Sequence, residues 1–496
     1  MTNRSRLFLR GACSLALSLL PLVFFACSQG TGTSPQGFDG SAATDASGSG
    51  TDGGAAADSG IRSAEGRYLF ARHFGGAGNE DTHAIATDPA GNIIIAGAFW
   101  GSIDFGQGPI VSVGSYDSFV AKLRSDGSVI WSRTFGGTEE DYAWSTTLDQ
   151  AGNIIVIGRF SGQVDFGSGP LIGTSSATLF VAKYAADGKP LWAHAYGDTN
   201  GSVRPWSVAV DPSDNIILSG SLSGRVDLGG GVLTSAGSTD AVLFKLTPAG
   251  DHVFSKRFGS SSSDTAFGVK ADPSGEIVVV GAVVGAVDFG GGPLAAATTE
   301  QAFVARFGGD GSYRWARRLG PSGGVSHGTD VVIASNGELV TIGNFLGTVD
   351  CGGVPLQSPS VSYPALYLAR YSSSGLPLGS QAFAGSDSLA PTALVIDSRG
   401  NLLIGGAFFG SLSFGGGLLV SAGTEDAFLV KLTAAGQHLW SRRYGSDNSD
   451  QVNALAVDRD DNVLAGGISY GAVDFGGGPL PSATSSPDDF LVKLSP

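Results

Sequence analysis

Along most of the chain, short apolar runs alternate with clusters of Gly, Asp, Asn and Ser. The runs NIIIAGAF (residues 92–99), DSFVAKL (117–123) and VIWSRTF (129–135) are rich in β-branched and aromatic residues. The intervening turns, DPAGN (88–92) and SDGS (125–128), are those that reverse a strand. The pattern predicts many short strands in succession, joined by tight turns and one Gly-rich loop per set.

That set recurs. The element VDFGGGPL and its variants begin at Asp104, Asp165, Asp227, Asp288, Asp350, Ser413 and Asp474, at intervals of 61, 62, 61, 62, 63 and 61 residues. Near-constant spacing over seven units is the mark of a repeat architecture. Each unit reads as four strands in an antiparallel meander, which is the blade of a β-propeller. The last unit ends on its third strand, FLVKL (490–494), and lacks a fourth. YLFARHFG (68–75) precedes the first unit unpaired and matches VIWSRTFG. The two fragments complete one blade, so the expected fold is an all-β, seven-bladed propeller closed by an N-terminal strand.

With GNIIIAGAFWGSIDFG, DSFVAKL and WSRTFGG on the page, residues 66–496 resemble the seven-bladed β-propeller repeat of bacterial exported proteins. The resemblance implies a fold and an envelope setting; it implies no reaction. Two blades depart from the pattern: Gly379 and Gln381 replace the Trp and Arg of the fourth strand in blade 5, and Ser413 replaces the loop Asp in blade 6. The pattern gives ring regularity less support there.

Composition agrees with the strand reading. Gly accounts for 78 of 496 residues and charged residues for 15%, which excludes a helix-rich enzyme of ordinary make-up. The net charge of −15 argues against a nucleic-acid partner, since phosphate binding needs a cationic surface. Residues 1–26 carry Arg4, Arg6 and Arg10 ahead of an apolar stretch too short to span a bilayer well, the layout of an export signal. Phe24-Phe25-Ala26-Cys27 resembles the lipobox of bacterial lipoproteins, which implies that Cys27 takes a lipid and becomes the mature N-terminus. Of the three cysteines, Cys13 would leave with the signal and Cys27 would be acylated. Cys351 would then have no disulfide partner. Residues 27–65 are Ser-, Gly-, Ala- and Asp-rich and read as a disordered tether with an r.m.s. reach of roughly 35 Å.

What every blade repeats serves the blade; what varies is the candidate for recognition. By that test the basic residue of the third strand (Lys122, Lys183, Lys245, Arg306, Arg370, Lys431, Lys493) is structural, as are the loop Asp and the Phe beside it. The turn Asp458-Arg-Asp460-Asp461-Asn462 admits a calcium reading, against which the same position in other blades is an ordinary Asx turn. No cofactor is otherwise implied: the six His lack metal-ligand spacing, and HExxH, CxxC and P-loop patterns are absent.

The informative variation lies five residues before each first-to-second-strand turn. There the blades read His83, Trp144, Trp206, Phe267, Thr329, Thr392 and Asn453. These residues should ring one channel mouth, half aromatic and half polar, suited to stacking a sugar or a peptide aromatic. Packing between blades is the plainer alternative. Glu80, Asp81, Glu139, Glu140, Asp141, Asp264 and Asp450 are expected in acidic loops nearby.

Two function classes follow. One is a non-enzymatic binding or scaffold module for a protein or glycan, lipid-anchored in the envelope and, from Ser28 after the Cys, directed to the outer membrane. The other is a propeller enzyme with its site at the mouth, a lyase or glycosidase, or a quinoprotein-like dehydrogenase whose repeats SDGSVIW and DGKPLW faintly resemble.

Overall fold

A computed structural model describes residues 65–496 except 77, 175–176, 321–323 and 481–485. The expected signal, Cys27 and the tether up to residue 64 lie outside the described residues. The chain forms seven antiparallel four-stranded sheets in a ring, a seven-bladed β-propeller. In blade 1 the strands, here called a to d from the inside out, are Asn79–Thr87, Ile93–Trp100, Asp117–Leu123 and Val129–Phe135. The a strands of successive blades touch all the way round, the last against the first, and so enclose the channel. Strand c is buried at every residue in blade 1, because its two faces pack on the two neighbouring blades. Strand d is largely half-buried.

Ring closure is as the two incomplete ends predict. Tyr68–Arg72 pairs antiparallel with Asp488–Leu494 and is strand d of blade 7. The join also rebuilds a turn. In blade 1, Arg124 N–H donates to Ser128 O at 2.7 Å and Gly127 N–H to Arg124 O at 2.9 Å. Across the chain ends, Ser495 N–H donates to Arg67 O at 2.8 Å and Gly66 N–H to Ser495 O at 3.2 Å. Gly66 has φ +67°, as Gly127 has +81°, so the break in the ring falls inside a c-to-d turn whose hydrogen bonds are kept.

The repeated features are structural, in a form more buried than strand charges usually take. Lys122 Nζ meets Asp88 of its own blade's a-to-b turn at 3.0 Å, and the same pair recurs as Lys183–Asp149, Lys245–Asp211, Lys431–Asp397 and Lys493–Asp458 at 2.6–2.9 Å, all side chains under a tenth exposed. Arg306 binds Asp272 in blade 4. In blade 5 Ala334 stands at the Asp position, and Arg370 takes Glu338 four residues on. Several of these cations reach further, to a carbonyl of the next blade's c-to-d turn: Lys122 to Ala186 O at 3.3 Å, Lys245 to Gly309 O at 2.7 Å, and Lys493 round the seam to Ser125 O at 2.9 Å.

In the blade 7 turn the carboxylates are engaged by protein groups. Asp458 is occupied by Lys493 and by the Asn462 carboxamide at 2.9 Å, while Asp461 turns away to accept from Ser398 N–H of blade 6 at 2.9 Å. These carboxylates do not converge. The departures in blades 5 and 6 leave the ring regular: Gln381 donates to Gly436 O at 2.8 Å across the blade junction, and Ser413 Oγ accepts from Gly415 N–H at 3.3 Å as the loop Asp does elsewhere. The loop Phe packs between blades, as Phe105 on Phe74 (5.2 Å) and Phe414 on Phe383 (5.2 Å) show. Cys351 holds that position in blade 5 and is buried.

Two predictions follow from the seam. A chain beginning at Gly76 loses strand d of blade 7, with its ladder and the buried Phe70 and Phe74. It should melt well below a chain beginning at Glu65, by several kcal/mol of stability; equal melting temperatures would disprove closure.

The second concerns pH. Burial, with Asp489 beside it, lifts the fully buried Glu80 to about 8. Burial lifts Asp489 to about 7, although Phe74 N–H and the Thr82 hydroxyl donate to it. Between their ordinary carboxylate values and these raised ones, the folded chain holds protons that the unfolded chain has released. Stability therefore falls as pH rises from about 4.5 to about 8. Thermal melts should give a higher Tm at the acidic end of that window, and Glu80→Gln should shrink the difference.

Candidate functional site

One backbone irregularity builds the channel mouth. In every blade the pairing of strands a and b skips one residue of strand a, and the skipped residues are His83, Trp144, Trp206, Phe267, Thr329, Thr392 and Asn453. Each is the extra residue of a β-bulge, a device that breaks alternation and re-aims a side chain. Opposite each bulge strand b carries Gly. A Cβ on Gly97 would lie 1.9 Å from Asp81 O, on Gly158 1.9 Å from Tyr142 O, and on Gly343 1.8 Å from His327 O. The glycine of the IIIAGAF motif is thus the sequence signature of the bulge.

The aromatic half forms one continuous arc. His83 stacks on Trp144 at 4.4 Å and 22°, Trp144 meets Trp206 at 6.1 Å, and Trp206 meets Phe267 edge-on at 5.3 Å. All seven bulge residues are half-buried, unlike the sealed blade cores.

His83 is fixed at both nitrogens. Its Nδ1 lies 2.8 Å from Ala143 O and its Nε2 3.0 Å from Asp81 Oδ2. A carbonyl and a carboxylate both accept, an arrangement that favours a proton on each nitrogen. Burial opposes that charge, but Asp81 outweighs it and holds the pKa above the ordinary value. Asp81 also accepts from Asn453 Nδ2 at 2.7 Å, which joins the bulges of blades 7 and 1. On the polar side Thr392 Oγ1 donates to Val452 O at 2.6 Å.

Residues two positions before the bulge complete the site, and the sequence reading missed most of them. They are Asp81, Tyr142, Arg204, Thr265, His327, Ala390 and Gln451, a row as unrepeated as the bulge row, so the same test applied one step upstream would have found them. Arg204 lies with its guanidinium carbon 4.5 Å from the Trp206 ring and 5.5 Å from the Trp144 ring. Arg159 lies 4.8 Å from the Tyr142 ring and 3.4 Å from Glu140. The mouth is therefore an alternation of cations and rings: His83, Trp144, Arg204, Trp206.

The expected acidic loops are corrected in part. Glu80, Asp141, Asp264 and Asp450 are buried at or below 1% exposure. Three of them fasten the connecting loops: Asp141 accepts from Gly137 N–H at 2.8 Å, Asp264 from Ser260 and Val284 N–H at 2.7 Å, and Asp450 from Ser446 N–H at 2.7 Å. Loop amides need acceptors where water is excluded, and the carboxylates supply them. Glu139 and Glu140 are exposed. At the opposite end, the a strands of blades 4 to 7 line an open, mainly apolar depression of about 310 Å³ with residues such as Val332, Leu394 and Val457, and Lys270 among them.

No protein-family profile and no curated protein matches the chain. Similar solved structures include the WD40 domain of Neurospora crassa Pan2 (11% identity, TM-score 0.44, 88% of this chain and 97% of that one) and the quinohemoprotein alcohol dehydrogenase of Comamonas testosteroni (9%, 0.43, 87% and 76%). An ulvan lyase, a polysaccharide lyase, is a third (12%, 0.42, 80% and 92%). Neighbours this distant span scaffold and enzyme alike and carry no argument about function. The class that fold and mouth define is a seven-bladed β-propeller with a non-repeating aromatic and cationic channel mouth.

The bulge makes its own prediction. Gly158→Ala places a methyl against Tyr142 O and should destabilise the protein by roughly 1–3 kcal/mol. It should also change the Trp144 environment in near-ultraviolet circular dichroism. The same substitution at Gly417, a loop glycine with open space around its Cβ position, should leave that signal unchanged.

Proposed function

We propose that this protein is a non-enzymatic binding module, exported and held in the bacterial cell envelope by a lipid on Cys27, with the channel mouth as its recognition site for a protein or glycan. The observation that carries the reading is the bulge row. Seven blades repeat turns, ion pairs and core, and then aim seven non-repeating side chains at one opening. Half-buried indoles held by their neighbours offer flat apolar faces, and little ordering is left to pay for on binding. Support for the envelope setting is the Ala26-Cys27 junction and the polar segment behind it; Ser28 favours the outer membrane.

Catalysis at the mouth is the other class. His83 is the residue there best suited to proton transfer, and both of its nitrogens are engaged. That engagement favours a binding role.

Mass spectrometry of the mature protein tests the anchor: a diacylated or triacylated Cys27 is expected, and an unmodified N-terminus would refute it. For the site, envelope fractions and a glycan array are screened with the full chain, and any captured ligand is titrated against Trp144→Ala and Trp206→Ala. Affinity should fall on the order of ten-fold per ring. Loss of stability with unchanged affinity in the folded fraction would make the indoles packing residues.

A further inference from the structure

Most buried cations in this propeller have an acid or a carbonyl in place. The strand c Lys and Arg have their turn carboxylates, Arg257 has Asp240, Arg443 has Asp426, and His83 has Asp81. Arg204 is different. Among the described residues no carboxylate lies within ion-pair distance of it, and Nε and Nη2 are buried without a hydrogen-bond acceptor. Its contacts are the two indole faces, and its charged neighbour is another guanidinium, Arg159. Burial and that like charge depress its pKa to about 10, so it remains protonated at neutral pH. In a chain with 44 acidic residues against 29 basic ones, Arg204 thus has no carboxylate within ion-pair distance among the described residues, at the opening where the candidate recognition residues gather.

We infer that Arg204, held between Trp144 and Trp206 and backed by Arg159, receives the carboxylate of an acidic saccharide at the channel mouth. This rests on the mouth being the binding site. The ligand class follows from the surroundings. A carboxylate restores the charge partner that a desolvated guanidinium lacks, and guanidinium matches it with two parallel hydrogen bonds. The half-buried indoles, whose faces already carry His83 and Arg204, leave apolar edges against which the C–H groups of a pyranose ring pack. The rest of the bulge row is polar: Thr329 carries a hydroxyl, and Thr392 and Asn453, whose donors are taken by Val452 O and Asp81, keep oxygen acceptors for a polyhydroxylated ligand. A peptide carboxylate could satisfy Arg204 but would use less of this polar arc.

The experiment titrates the full chain with a glucuronate oligosaccharide and with its methyl ester, which keeps the sugar and removes the charge, following tryptophan fluorescence at low salt. The acid should bind at least about ten-fold more tightly than the ester, and added salt should narrow the gap. Arg204→Met should bring acid affinity down to that of the ester while Tm holds or rises, because an unpaired buried charge is removed. Equal affinity of the native protein for acid and ester, or no binding of either, overturns the inference. So does an Arg204→Met protein that keeps acid affinity, or one whose Tm collapses, which would make Arg204 structural. Tighter binding of a peptide ending in a free carboxylate than of its amide, with no response to the glucuronate, would assign the site to a protein partner. If instead a captured ligand is indifferent to Trp144→Ala and Trp206→Ala, it is the mouth as binding site that fails.

Discussion

The buried pair between the turn acid and the strand c cation is the interaction on which the ring depends. In blade 1 Asp88 accepts from Ala90 N–H, Asn92 N–H, the Asn92 carboxamide and Lys122, which shapes the a-to-b turn and pins it to strand c. Lys122 then crosses to Ala186 O in the next blade, where Trp131 Nε1 also donates at 3.3 Å. One ammonium group therefore sets a turn, a sheet register and a blade junction together. Replacing such a pair by apolar residues often costs little, whereas removing one partner leaves a buried charge that costs about 3–5 kcal/mol. What the pair supplies is geometric specificity. The form it takes in blade 5, with Glu338 standing in for the missing Asp, keeps that geometry with different residues.

A ring of identical blades has no intrinsic first or last member, so the chain ends must be hidden somewhere. Here the propeller's first and last segments meet within a c-to-d turn, and the turn's hydrogen bonds are kept. The seam is nevertheless distinctive. Glu80, Asp488 and Asp489 are buried together there, and Asp489 holds Phe74 N–H of the incoming strand. Closure is thereby joined to the protonation of these carboxyl groups.

The site uses the scaffold's regularity. Because each blade carries the same bulge, and each bulge requires the same glycine opposite, the position that faces the mouth is constant while its side chain is free to vary. A recognition surface can then change residue by residue without disturbing turns, ion pairs or inter-blade aromatic contacts. Arg204 shows how far that freedom extends. A guanidinium without an acid would be costly inside a blade; between two half-buried indoles at the opening it is tolerated and remains available.

Blade number, strand order, the composite last blade and the structural nature of the repeated Lys, Asp and Phe were legible in the sequence. A spacing near 61 residues and two complementary end fragments leave few ways to bury seven apolar faces. The ring of His83, Trp144, Trp206 and Phe267 was legible too, as variation at a constant register. Tertiary structure alone decided which charges face the opening. Glu80, Asp141, Asp264 and Asp450 read as loop acids and proved to be buried, three of them as acceptors for loop amides, whereas Arg204 drew no notice and proved to have no acid within ion-pair distance among the described residues. Linear sequence records charge and spacing. Whether a charge meets an amide, an acid or nothing depends on which strands and loops are brought beside it, and here those partners come from elsewhere in the ring: Ser161 for Asp141, Val284 for Asp264, and Trp144 of the preceding blade for Arg204.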